Sequence, residues 1–286
     1  MDMLRSLLFA PGSKPRIMQK ACDAGADAVI FDLEDAVAVA EKASARALVA
    51  VELRRAWPAC RRYVRINAWN TEWGRDDLAA ALATGADGIM LPKAEDPRIV
   101  EAVAALLPEG VDFIPLVETA RGVLQSAAIA ACSTSISRLA FGAVDFTLDV
   151  GGRYSKEGRE LLYARSYLVL VSRAADLQPP VDTVYPDLED LGRLESELSQ
   201  VKDLGMFGKL AIHPVQLPAI HAAFTPSAAE LDAAREVVRA FAAAEAQGAA
   251  AIRVGAKFID YPVFLKAQRM LALNDALTSE RPQTRG

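Results

Sequence analysis

Eight short apolar runs punctuate the chain, and helix-patterned stretches separate them. They are SLLFA before Pro11-Gly12, AVIF before Asp32, YVRI before Asn67 and GIML before Pro92-Lys93. Then come FIPLV before Glu118, LAF before Gly142-Ala143-Val144-Asp145, VDTV before Tyr185 and KLAI before His213. Parallel strands need a long crossover, and a helix supplies it. Eight such alternations constrain the chain to an α/β fold, a TIM (β/α)8 barrel, whose chemistry gathers at the C-terminal strand ends. The barrel is expected over residues 1–224 as a catalytic domain. A C-terminal helical extension over residues 225–286 is extra to the eight units, so it packs on the barrel or on a neighbouring subunit.

Helix punctuation agrees with this division. Pro15–Ala24 opens with proline and stops at Gly25, Asp76–Thr84 ends at Gly85, and Pro97–Leu107 runs into Pro108. Val39–Ala56, Arg121–Ala131, Glu157–Ala175, Leu188–Leu204 and Val215–Ala223 follow the same logic. The fragments DAGADAVIFDLED and ATGADGIMLPKAED echo each other, as repeated βα units do. In the extension, Ser227 and Glu230 form a capping box for a helix over Ala228–Gln247, and a turn, a proline and a final helix follow. The polar residues Thr278–Gly286 are expected to fray.

Composition narrows the partners. Net charge is −5, which disfavours nucleic acid, whose phosphates need a basic face. No stretch reaches membrane-spanning length, and Leu4–Ala10 is too short for a signal segment. Three dispersed cysteines without metal-ligand spacing disfavour zinc and fit a reducing compartment, so the expected location is cytoplasmic. There is no Gly-x-Ser-x-Gly elbow or cysteine nucleophile motif, so acyl-enzyme chemistry has little support.

The candidate site is acidic, with one arginine. Asp32-Leu33-Glu34-Asp35 puts three carboxylates in four residues, a repulsion best tolerated beside a cation; a solvated turn with a helix cap is the plainer alternative. Glu118 and Asp145 end the fifth and sixth runs on the same rim, and two carboxylates with water positions commonly hold Mg2+. Singly, Glu118 could complement a helix dipole and Asp145 could be a cap. Arg65 alternates with apolar neighbours inside the third run and is read as facing the interior, where its fork can hold an oxyanion. Lys14 and Arg16 bring positive charge to the first strand's end, beside a Gly12-Ser13 turn able to admit a phosphate. Lys93 reads as an electrostatic group and His213 as a packing or ligand-edge residue. Asp260 stands between Ile259 and Tyr261 in the extension, with a cap before Pro262 as its plain reading.

These residues lie in motifs that resemble the HpcH/HpaI aldolase and citrate lyase superfamily, nearest to the citrate lyase β-subunit and the malyl-CoA and citramalyl-CoA lyases. RSLLFAPG, FDLEDAV, RIN, LPKAED, LVETARG, FGAVDF, GKLAIHPVQ and GAKFIDYPV follow in the family's order from Arg5 to Val263. The resemblance implies a Mg2+-dependent carbon–carbon lyase acting on an acyl-CoA thioester and yielding a small 2-oxo acid, assembled as a homotrimer or hexamer. It implies Glu118 and Asp145 as direct metal ligands, Glu34 and Asp35 near the metal through water, and Arg65 as the catalytic arginine. Asp260 would reach a neighbouring subunit's site as the acid–base group, while Lys14, Arg16 and His213 are the candidates for holding the CoA. A thioesterase, a citryl-carrier-protein lyase subunit and a binding protein on an inherited barrel are the alternatives.

Overall fold

The computed structural model describes residues 3–57, 60–246, 248, 251–254 and 257–279. The chain divides into two compact units, Leu4–Ala223 and a smaller one made mainly of the segment from Phe224 onward.

The larger unit is built on a seven-stranded parallel sheet. Its strands are β1 (Ser6–Pro11), β2 (Ala28–Asp32), β3 (Arg61–Arg65), β4 (Gly88–Leu91), β5 (Asp112–Val117), β6 (Ala140–Phe141) and β7 (Lys209–Ala211). They lie in the order β6-β5-β4-β3-β2-β1-β7. Helices α1 (Pro15–Cys22), α2 (Lys42–Leu53), α3 (Gly74–Ala83), α4 (Pro97–Ala104), α5 (Ala120–Ala131), α6 (Ala143–Asp149), α7 (Leu162–Ala174), α8 (Leu191–Leu204) and α9 (Leu217–Phe224) follow the strands. Local chemistry sets their ends. Asp96 accepts from the Arg98 amide to cap α4, and Thr119 accepts from the Gly122 amide to cap α5.

All of β2 is buried, as expected of a parallel strand covered on both faces. Alternate strand residues, among them Leu7, Ile30, Tyr63, Met90, Ile114, Leu116, Ala140 and Leu210, form one core cluster with Val181. A Cβ on Gly88 would lie 2.2 Å from the Tyr63 ring, so a glycine at β4 makes room for that side chain. Since strand side chains alternate, Asp32 follows Ile30, Arg65 follows Tyr63 and Glu118 follows Leu116 on this same face.

Two expectations are corrected. The run VDTV is not a strand: Val181 and Asp182 make only single bridges, to Ala140 and to Lys209. Pro179 and Pro180 precede it and have no amide hydrogens to extend a ladder. Side chains hold this seam instead. Lys209 Nζ donates to Asp182 Oδ2 and Glu197 Oε1, both at 2.6 Å. Arg165 grips Asp182 from Nε at 2.8 Å and reaches Glu197 from Nη2 at 3.1 Å. Burial opposes the Asp182 charge, but Lys209 and Arg165 override it and hold the carboxyl below its usual range. The second correction is α6, which begins directly after Gly142, so Asp145 sits in a helix's first turn and not at a strand end.

The smaller unit is not wholly helical. Helix α10 (Ala228–Glu245) starts at the Ser227–Glu230 capping box, and α11 (Tyr261–Ser279) closes the unit. Between them β8 (Ala251–Val254) and β9 (Lys257–Asp260) pair antiparallel. Ile252 and Ile259 are cross-strand partners and pack with Phe241 and Phe264, whose rings stack at 4.8 Å. This hairpin corrects the turn expected from the sequence between the two helices. The expected end of α10 at Gln247 and the tail from residue 280 lie outside the described residues, as do Gly255 and Ala256. Among the described residues no helix is long and apolar enough to cross a membrane.

Candidate active site

The parallel register builds the centre of the site. Asp32 and Arg65 are partners at the ends of β2 and β3, so their side chains leave the sheet side by side. Arg65 donates to both Asp32 oxygens at 2.7 Å, a two-toothed grip. Its guanidinium lies 4.8 Å from the Phe9 ring centroid. Burial alone would weaken the Arg65 charge, but Asp32 overcomes it and raises the pKa. Burial likewise opposes ionised Asp32, yet Arg65 and the amides of Glu34 and Ala36 hold its carboxyl below the usual range. The remaining edge, Nη1, lies 3.1 Å from Glu34 Oε2 and 3.6 Å from Asp35.

The acidic loop after β2 is pinned from below. Buried Lys42 of α2 donates to the carbonyls of Leu33 and Glu34 at 2.8 and 2.6 Å. This fixes the backbone that carries Glu34 and Asp35, of which Glu34 is buried and Asp35 is 57% exposed. One Glu34 oxygen, Oε2, is buried without a hydrogen bond. Burial raises the Glu34 pKa against the pull of Arg65 and Lys93.

Glu118, just beyond β5, is 2% exposed. Burial first, then the charges of Glu34 and Asp145, push its pKa up to about 8. A Cβ on Gly142 would lie 2.7 Å from Glu118 Oε2, so that position must stay bare for the carboxylate to lie there. Lys93, in a left-handed conformation at φ 51°, aims its amide at Glu118 Oε1, 2.8 Å away. Its ammonium is 2.7 Å from Glu34 Oε1 and 3.9 Å from Asp145 Oδ1.

Glu34, Asp35, Arg65, Glu118 and Asp145 thus meet at one end of the sheet. Lys14 and Arg16 are exposed at the start of α1. His213 is exposed beyond β7, and its Nδ1 accepts from the Val215 amide to cap the turn Pro214–Gln216. Asp260 belongs to the smaller unit, where Oδ1 accepts from the Val263 amide in the first turn of α11. Asp32, expected only as one carboxylate of the acidic tetrad, is the clamp on Arg65, and Phe9, Lys42 and Gly142 are supports without a sequence signal.

The donors suit a small hard cation. They are carboxylate oxygens, Glu118 is costly to ionise without a nearby positive charge, and Glu34 Oε2 is buried with no hydrogen bond, faced by the Arg65 guanidinium at 3.1 Å. Among the described residues no group of three His, Cys, Asp or Glu side chains is arranged to hold a metal by itself. Two direct carboxylates leave positions for water and substrate, which is the Mg2+ habit.

A parallel α/β unit with buried carboxylates and an arginine at its C-terminal strand ends defines the class of architecture. The chain belongs to the HpcH/HpaI aldolase/citrate lyase family, whose profile matches residues 5–214. It is 39% identical over 278 residues to a (3S)-malyl-CoA thioesterase of Cereibacter sphaeroides, covering 97% of this chain and 96% of the relative. It is 33% identical over 279 residues to the citrate lyase subunit beta of Escherichia coli, covering 94% and 92%. The solved structure of CitE from Mycobacterium tuberculosis in complex with magnesium, acetoacetate and coenzyme A matches with a TM-score of 0.81 and 33% identity, over 96% of this chain and 98% of that one.

Proposed function

We propose that this chain is a Mg2+-dependent carbon–carbon lyase. It cleaves a 3-hydroxy-3-carboxyacyl-CoA of the malyl, citramalyl or citryl type to an acyl-CoA and a 2-oxo acid. The observation that carries this is the buried Glu118, flanked by Glu34 and Asp145 and faced by an Arg65 that Asp32 locks in place. That arrangement supports a cation site beside a fixed oxyanion donor. The magnesium, acetoacetate and coenzyme A bound to the mycobacterial relative support the same classes of ligand.

Glu118 and Asp145 would hold the ion, with Glu34 and Asp35 as the carboxylates beside them. When bound, Mg2+ supplies chelation of the substrate carboxylate and hydroxyl and lowers the hydroxyl pKa. The hydroxyl gives its proton to solvent, the bond between the carbinol carbon and the acyl α-carbon breaks with its electron pair moving into the thioester enolate, and the deprotonated oxygen becomes the oxo group. Arg65 receives the enolate oxygen on Nη1, the edge Asp32 leaves available. Asp260 of a neighbouring subunit delivers a proton to the enolate carbon, which calls for a homotrimer or hexamer. Lys14 and Arg16 meet CoA phosphates, with His213 at the ligand's edge. The segment Val181–Asp182 serves as the eighth position that closes the sheet into a TIM (β/α)8 barrel, and the enzyme works in the cytoplasm.

A second reading, thioester hydrolysis, is favoured by the greater identity to malyl-CoA thioesterases, 39% against 33% for the citrate lyase subunit. The reverse reaction separates them. Acetyl-CoA and glyoxylate with Mg2+ should yield malyl-CoA, and chelation should abolish it. A protein that hydrolyses malyl-CoA but never forms it in condensation is not the lyase proposed.

A further inference from the structure

Lys93 is tied to three of the four carboxylates of the proposed metal site. Its amide holds Glu118, its ammonium pairs with Glu34, and the same ammonium lies 3.9 Å from Asp145. The backbone accepts a left-handed conformation at a non-glycine residue to do so, a strain that persists where surrounding structure enforces it. The side chain is 41% exposed, which leaves it a route outward to solvent.

We propose that the Lys93 ammonium is a built-in counter-ion of the metal-free site, which a divalent cation must displace from Glu34 and Asp145 in order to bind. Lys93 is thus a positioning residue with two separable parts. Its amide keeps Glu118 oriented whatever occupies the site, while its side chain balances carboxylate charge until the cation arrives. The cation and the ammonium compete for the same oxygens, so the lysine sets the threshold concentration for loading. The inference rests on the Mg2+ reading given above, and it adds a determinant of cation affinity that lies outside the ligand set.

The test is titration calorimetry of Mg2+ into the full-length protein, comparing wild type with Lys93→Met, Lys93→Gln and Lys93→Arg. Measurement at about pH 8.5 keeps protons from taking the lysine's place. A divalent ion opposed by a unit charge at roughly 5 Å loses about tenfold in affinity even at the dielectric of water. Lys93→Met and Lys93→Gln should therefore bind Mg2+ about tenfold more tightly than wild type. Lys93→Arg, which keeps the charge, should stay near wild type. Unchanged or weaker binding in both neutral variants overturns the competition while leaving the Mg2+ reading intact. Failure of the wild type itself to bind Mg2+ overturns both. Gln serves if Met fails to fold, because it keeps a polar group for Glu34.

Discussion

Loading the protein with Mg2+ at neutral pH should release a proton from Glu118. Burial and the neighbouring charges of Glu34 and Asp145 push that carboxyl from its ordinary 4.5 up to about 8. A group with that pKa is about 90% protonated at pH 7, so each ion bound displaces roughly 0.9 proton. The same equilibrium raises the apparent Mg2+ affinity about 50-fold between pH 6 and pH 8. Calorimetry in buffers of low and high ionisation enthalpy reads the proton count directly. Glu34→Gln removes one of the charges that raise the pKa, and it should lower the release at pH 7. The stability of the metal-free protein carries the opposite sign. A carboxyl whose folded pKa is raised contributes stability that is full below 4.5 and is lost as pH rises through 8, by about 1.4 kcal/mol per unit across that window. The thermal shift caused by Mg2+ should therefore be larger at pH 8 than at pH 6. Affinity that is flat with pH, with release below about 0.2 proton, refutes the reasoning.

Three further outcomes are expected. Arg65→Lys loses the two-toothed grip on Asp32, so turnover should fall about 100- to 1000-fold with the far-UV spectrum unchanged, and near-normal rates would exclude Arg65 as the oxyanion donor. Asp260→Ala should cut turnover and leave Mg2+ affinity intact in calorimetry; a large loss of affinity would contradict its acid–base role. Lys209→Met leaves Asp182 and Glu197 buried with Arg165 as their one remaining ion-pair partner, which should cost about 3–5 kcal/mol and lower Tm by roughly 6–20 °C, and a shift of about 2 °C or less would mean the seam does not depend on the network.

Much of this architecture could be read from the chain, for definite reasons. Buried parallel strands leave continuous apolar runs, and six of the eight recognised runs correspond to β1–β6 with a seventh at β7. The placement of Glu118 followed because a polar residue ending such a run has few other places to go, and that of Arg65 because a strand alternates its faces. What stayed hidden depends on three-dimensional register. Asp32 and Arg65 are 33 residues apart, and only the β2–β3 pairing shows that they grip each other. Phe9 lies within an apolar run and Lys42 within the helix-patterned stretch Val39–Ala56, so neither carries a sequence signal for the site. The run at Val181 misled because its order comes from buried ion pairs and not from a ladder. The hairpin of the smaller unit was obscured by short strands in a segment whose alternation spans only four residues on each side.

The central claim, carbon–carbon cleavage at the Arg65–Glu118–Asp145 site, is tested most directly by following two products at once. Purified protein with Mg2+ is given malyl-, citramalyl- and citryl-CoA in turn, and both 2-oxo acid and free thiol are measured. The account expects oxo acid in step with substrate loss, without free thiol, on at least one substrate, and none from Glu118→Gln. Free thiol without oxo acid would contradict it and make the chain a thioesterase.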